Sequence, residues 1–209
     1  VHPTPSPTHP ALALALAGAL ALLPGAARAE DAPDPHAHHH HAAGAMKRAT
    51  RSTAEYALPS VPLVRDDGRT VTLPGELTDG APVVLDFIFT SCTSICPVMS
   101  RIFAQLQDRL AGERVHLVSI SIDPEQDTPE RLAEYARRFH AGPGWRHYTG
   151  TAQASLAVQR AFEAYRGDKM DHTPVTFLRA APGRPWVRID GFASADELAH
   201  ELHELVATR

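Results

Sequence analysis

Residues 82–97 read PVVLDFIFTSCTSICP. The first part, PVVLDFIFT (82–90), is a continuous apolar run of the kind that forms a strand buried on both faces of a sheet. The second part holds Cys92 and Cys96, the only two cysteines among 209 residues. They stand four residues apart, and Pro97 follows the second. A helix beginning near Cys92 would put both sulfurs on one face, and its N-terminus would supply partial positive charge that favours thiolate over thiol. Proline is tolerated at such a start because first-turn amides have no intrahelical acceptor. A buried strand, a dithiol turn and a helix therefore form the predicted centre of the fold.

The flanking sequence extends this centre on both sides. VPLV (61–64) and TVTL (70–73), separated by RDDGR, predict a small hairpin turning at Asp67-Gly68. After Pro97, the residues Met99, Phe103, Leu106 and Leu110 recur at helical spacing. VHLVSISI (115–122) is a strand dense in β-branched residues. TPERLAEYARRF (128–139) is a helix with Thr128 as N-cap and Pro129 in the first position. A third helix is expected over about 151–165, then the loop RGDKMDHTP (166–174). VTFLRA and WVRIDGF, joined by APGRP, make a closing pair of strands. SADELAHELHELVA (194–207) ends the domain as a helix with Ser194 and Glu197 in capping-box positions. The order hairpin, βαβαβα, ββα predicts an α/β, thioredoxin-like fold: a central, mostly parallel sheet flanked by helices, with an N-terminal β-hairpin.

Composition sets the wider frame. The chain suits one domain plus a tail, and its net charge of −4 includes no basic block that would point to nucleic acid. ALALALAGALALL (11–23) is an apolar run shorter than the ~20 residues of a membrane span. Ala27 and Ala29 then stand where a signal peptidase requires small residues. Residues 1–29 are accordingly expected to be a signal peptide cleaved after Ala29, with an uncleaved inner-membrane anchor as the alternative. Export to the periplasm would permit a disulfide between the two cysteines. Residues 30–57 are read as a flexible linker, leaving 58–209 as the domain. The linker carries five of the thirteen histidines at His36–His41. Metal capture, a solvated low-complexity tail and a purification tag all fit that cluster.

Three uses fit the cysteine pair. A structural disulfide would restrict the unfolded chain little, because the loop is short. Thiol–disulfide exchange is the second, although three residues intervene instead of the familiar two. The third is a soft metal: two thiolates and one imidazole suit Cu(I) and can hold Cu(II), whereas structural zinc normally takes a fourth protein ligand. The expected imidazole is His172, in the loop before a strand whose Pro174 falls where thioredoxin-like folds keep a cis-proline beside the cysteines. Asp171 is either a partner orienting that ring or a plain loop carboxylate. His116, His140 and His147 are read as structural or surface residues, Met99 as core and Met170 as loop.

DFIFTSCTSICPVMS, SISIDPEQDTPERLAEYA and DHTPVTFL, in this order, resemble the SCO/SenC family of copper-handling thioredoxin-like proteins over about residues 58–207. The resemblance implies Cys92, Cys96 and His172 as copper ligands. It also implies delivery of copper to the binuclear centre of cytochrome c oxidase subunit II, or upkeep of that centre's cysteines in reduced form. Asp123 and Asp127 belong to the DPEQDTP signature; Asp123 is expected to shape the site and Asp127 to help cap the following helix. Thr93, where many members have proline, and Pro174, where many have none, depart from the pattern while leaving the ligand set intact. Three functions follow for comparison. One is a copper metallochaperone. The second is a thiol–disulfide reductase in which Cys92 attacks and Cys96 resolves, served by a periplasmic thioredoxin-like reductant. The third is a peroxidase, for which the motif itself offers no cation beside the thiolate.

Overall fold

The computed structural model describes residues 49–208. The expected signal segment, the cleavage expected after Ala29 and the histidine cluster at His36–His41 lie outside the described residues. In chain order the elements are β1 (Thr50–Ala54), β2 (Leu63–Arg65), β3 (Thr70–Val71), α1 (Leu73–Glu76), β4 (Val83–Ile88), α2 (Ile95–Arg109) and β5 (His116–Ser121). They continue with α3 (Pro129–Arg138), β6 (Trp145–Gly150), α4 (Ala152–Ala161), a short 3-10 turn (Lys169–Asp171), β7 (Val175–Arg179), β8 (Trp186–Asp190) and α5 (Ala195–Ala207).

Every residue of β4 is buried, as a strand with helices on both faces requires. Among the described residues one eight-stranded sheet runs β1-β8-β7-β4-β5-β6-β2-β3. Only the β4–β5 and β5–β6 pairings are parallel, so the sheet is mixed where the sequence predicts a mostly parallel one. The antiparallel β7–β8–β1 flank extends this parallel part on one side, and the predicted hairpin, β2 with β3, extends it on the other.

Alternation along the strands sorts the core into two faces. Leu85, Phe87, Val118, Ile120 and Phe177 pack on one side beneath α4, with the Phe162 ring 4.9 Å from Phe177. Val84, Leu117, Trp145 and Leu178 pack on the other against Met99, Phe103 and Leu106 of α2 and Leu198 and Leu202 of α5. The predicted caps hold. Thr128 accepts from the Arg131 amide, and Ser194 and Glu197 form both bonds of a capping box.

Two boundaries differ from the sequence reading. The stretch assigned to the linker up to residue 57 contains β1, paired in register with β8 from Thr50 opposite Asp190 to Ala54 opposite Trp186. Tyr56 from the same stretch is buried against Phe162 and Phe177. β1 reads TRSTA and is mostly exposed, so backbone pairing holds it with no apolar alternation to announce it. The helix expected to 165 stops at Ala161. Glu163 adopts the left-handed conformation at φ +53°, and the Ala164 and Glu163 amides bond back to Gln159 and Arg160 carbonyls, which closes the helix as a Schellman motif. His140 at φ +56° ends α3 in the same way.

Candidate metal and dithiol site

β4 delivers the chain to a turn at Phe89–Ser94, and α2 starts at Ile95, three residues later than a helix beginning near Cys92 would. Cys92 therefore lies ahead of the helix, and Cys96 lies in its first turn. The Ser94 side chain makes no capping bond. Instead the Cys96 amide donates to Cys92 Sγ over 3.4 Å, so the sulfur takes the place of a cap oxygen at the positive helix end. Both cysteines are free; Cys92 is half-buried and Cys96 fully buried.

The two thiols are driven apart electrostatically. Burial works to raise the Cys92 pKa, but hydrogen bonds from the Cys96 and Ser94 amides outweigh it and hold the group below the ordinary thiol range. Burial pushes Cys96 far up, against one bond from the Phe89 amide. Asp86 lies in β4 on the same side of the sheet, fully buried; burial raises its carboxyl to about 7 against a 2.6 Å bond from Ser119 Oγ.

The turn is braced from the loop that follows β5. Asp127 is fully buried and accepts from the Thr90 amide, the Thr90 hydroxyl and the Ser121 hydroxyl. This corrects its expected role: Thr128 caps α3, while the Asp127 carboxylate ties the residues just before Cys92 to the end of β5. Asp123 reaches the other loop, accepting from Lys169 Nζ at 2.6 Å. Lys169 also lies over the Phe89 ring, 5.7 Å from its centroid.

His172 returns to this end of the sheet but turns elsewhere. Its ring is buried and hydrogen-bonded to the Phe87 backbone. It lines a small cavity of about 60 Å³ with Ile122, Gln159, Ala164, Arg166 and Lys169. Cys92 opens into a different groove, between α2 and α3. Burial holds the imidazole pKa below its usual range, against the raising effect of the Phe87 bond, which keeps the ring neutral and able to ligate. Among the described residues no group of three or more His, Cys, Asp or Glu side chains is gathered closely enough to hold a metal ion. Asp171 is exposed, and among the described residues its carboxylate makes no bond to the His172 ring.

The remaining candidates fall as the sequence reading had them. Met99 is core and Met170 is an exposed loop residue. His116 pairs with Asp79 at the surface, and His147 is buried between β6 and α3. Sequence reasoning missed the partners of Asp123 and Asp127. The DPEQDTP spacing marks the two carboxylates, but Thr90 is 37 residues away and Lys169 is 46 away. A usable hint was that Lys169 stands alone in an arginine-rich domain, the only other lysine being Lys47.

The SCO1/SenC family model matches residues 50–207. The chain belongs to the SCO1/SenC family. Its relatives include an SCO1 protein homolog of Bacillus subtilis, 34% identical over 104 residues that make up 48% of this chain and 53% of the relative. The SenC protein of Rhodobacter capsulatus is 31% identical over 144 residues, 64% of this chain and 63% of that one. This chain thus spans little more than half the length of these relatives. Among solved structures, Arabidopsis thaliana ScoI with copper bound is 29% identical, superposes with a TM-score of 0.62 and matches 73% of this chain and 99% of that one. The family match begins at β1, in agreement with a folded unit that starts near Thr50. Among the described residues no helix is long and apolar enough to cross a membrane.

Proposed function

We propose that this protein is an exported, periplasmic copper carrier that holds one copper ion through Cys92, Cys96 and His172 and passes it on by ligand exchange. The observation that carries the reading is the split thiol pair at the start of α2. One sulfur is half-buried and held toward thiolate by backbone amides, and the other is buried behind it. Two thiolates and one imidazole fit Cu(I) and Cu(II), and a low-coordinate ion leaves a position for an incoming client ligand. Copper is named for the Arabidopsis structure and for a 36% identical Stutzerimonas stutzeri relative described as a putative copper-binding protein. The client implied by the family resemblance is cytochrome c oxidase subunit II.

In this reading, loading requires the loop 163–174 to carry His172 out of its cavity toward the two sulfurs. Gly167, at φ +86° with open space where a Cβ would be, allows the chain to turn there. The Lys169–Asp123 ion pair is the contact to be released. The test uses a chain in which His36 and His38 to His41 are replaced by alanine. His172→Ala should weaken binding of the first copper equivalent by more than about 100-fold, beyond the scale expected for loss of an outer partner alone. Unchanged affinity would remove His172 from the ligand set.

The same split thiols favour a second reading, a thiol–disulfide reductase. The Cys92 thiolate attacks a client disulfide, forming a mixed disulfide and releasing one client thiolate. Cys96, once deprotonated, then displaces the second, leaving the protein oxidised and the client reduced by two electrons. Copper-free protein should reduce a model disulfide at a rate lost in Cys92→Ser; inertness of the unmodified protein would exclude this reading.

A further inference from the structure

Cys92 stands at one end of a groove of about 400 Å³ between α2 and the C-terminal turn of α3. Pro97, Ala104, Tyr135 and Phe139 supply its apolar walls, and Arg101 and Arg138 stand beside them. Arg101 follows Pro97 by four residues, which puts the two on one face of α2. Arg138 lies 5.8 Å from the centroid of the Tyr135 ring. No carboxylate lines the groove. Neither guanidinium has a carboxylate at ion-pair distance among the described residues, although the whole chain carries a net charge of −4. Elsewhere Arg51 pairs with Glu201, Arg65 with Asp67 and Glu76, Arg109 with Asp196, Arg146 with Asp66 and Arg188 with Asp190. Several other described arginines, Arg131 and Arg160 among them, are unpaired like the groove pair. Val98, two residues past Cys96, is one of the few exposed large apolar side chains of the domain.

We propose that this groove docks an extended acidic segment of the client protein, with carboxylates a few residues from the thiol that meets Cys92. The inference rests on the reading that Cys92 exchanges cargo or electrons with client thiols. Such exchange requires a client sulfur within bonding reach of Cys92 Sγ, so the chain around that sulfur must lie over the adjoining surface. Apolar walls accept its backbone and small side chains. Two unpaired guanidinium groups select carboxylates, to which they bind in a planar, two-pronged geometry. Long-range attraction to the same pair raises the encounter rate at low salt.

The test uses the full-length, copper-free, reduced protein and two pentapeptide probes, Glu-Ala-Cys-Ala-Glu and Lys-Ala-Cys-Ala-Lys. Each is capped at both ends and joined through its cysteine to thionitrobenzoate in a mixed disulfide. Attack by the Cys92 thiolate breaks the probe S–S bond, joins the peptide sulfur to Cys92 and expels coloured thionitrobenzoate. Cys96 then displaces the peptide thiolate and closes the protein disulfide, so that two electrons pass from the protein dithiol to the probe. Because the leaving group is shared, the rates of colour release compare only the flanking charges.

The acidic probe is expected to react about tenfold faster at low ionic strength, with the advantage shrinking as salt rises. Arg101→Glu with Arg138→Glu should reverse the order, and the neutral Arg101→Gln with Arg138→Gln should abolish it. Arg109→Glu, on the far end of α2, should leave it intact. Equal rates for the two peptides, or a preference that survives the double reversal, would overturn the docking assignment while leaving the thiol chemistry standing. Cys92 inert to both probes would overturn the thiol–disulfide reading and, with it, the docking assignment. An advantage as large for a mercaptopropionate–thionitrobenzoate disulfide as for the acidic peptide would assign the groove to small anions, contradicting a protein segment.

Discussion

The two halves of the candidate site are built differently. The cysteine half, residues 89–97, is fastened from below. A buried carboxylate holds Thr90, a backbone amide holds the Cys92 sulfur, and Cys96 is packed with Ile88, Leu132 and Tyr135. The histidine half, residues 163–174, rests over a small cavity; the buried His172 ring bonds to the Phe87 backbone, and Lys169, partly exposed, pairs with Asp123. Buried, multiply bonded groups cost several kcal/mol to disturb, whereas a single hydrogen bond contributes about 0.5–1.5 kcal/mol and an ion pair with a partly exposed lysine about 0–1 kcal/mol. In the proposed copper carrier the two halves would serve as fixed sulfur donors and as a nitrogen donor that a modest free energy can bring or withdraw.

The largest expected effect tests the fixed half. Asp127→Ala leaves the Thr90 amide and two hydroxyls without their acceptor, so it should destabilise the domain by about 3 kcal/mol. Native-state hydrogen exchange should quicken at Thr90–Ser94 and stay unchanged across the histidine loop. Equal loosening of both segments would erase the distinction drawn above.

An intermediate effect concerns the carboxyl beneath the cysteine half. Asp86 is held at about 7 when folded, against roughly 3.9 in an unfolded chain. A raised carboxyl pKa means that the folded state binds the extra proton. Its favourable contribution is complete below about pH 4 and is lost as pH rises through about 7. Asp86→Asn should therefore be more stable than the parent at pH 8, by about 2 kcal/mol, with the gain shrinking toward pH 5. Denaturant midpoints across that range measure it; a pH-independent difference would contradict the shift.

The smallest effect concerns the latch. Lys169→Ala should cost no more than about 1 kcal/mol of stability. Because it frees the loop to leave its seat, it should raise apparent copper affinity by up to about fivefold. A fall in affinity would make Lys169 part of the assembled site instead of a restraint on it.

Much of the fold was legible because its signals are local. The continuous apolar run became β4, Thr128 and Ser194 capped the helices they precede, and Asp67-Gly68 turned the hairpin with Gly68 at φ +83°. What escaped has no local signature. β1 is an exposed edge strand of polar residues, specified by its neighbour's backbone and not by its own pattern. The Asp127 brace and the Lys169 latch join residues tens of positions apart, which spacing within either segment cannot reveal. Of the candidate site, the cysteine pair was legible down to its position at a helix start. The direction of the His172 ring was not, because a loop side chain is placed by the cavity it fills.

The central claim is that the mobile nitrogen joins the fixed sulfurs around one copper ion. X-ray absorption spectroscopy of the singly loaded protein, with His36 and His38 to His41 replaced by alanine, tests it most directly. Two sulfur neighbours and at least one imidazole nitrogen are predicted, with the imidazole signal vanishing in His172→Ala while both sulfurs remain. An imidazole signal that persists in that variant, or a copper shell of sulfur alone in the parent, would contradict the account.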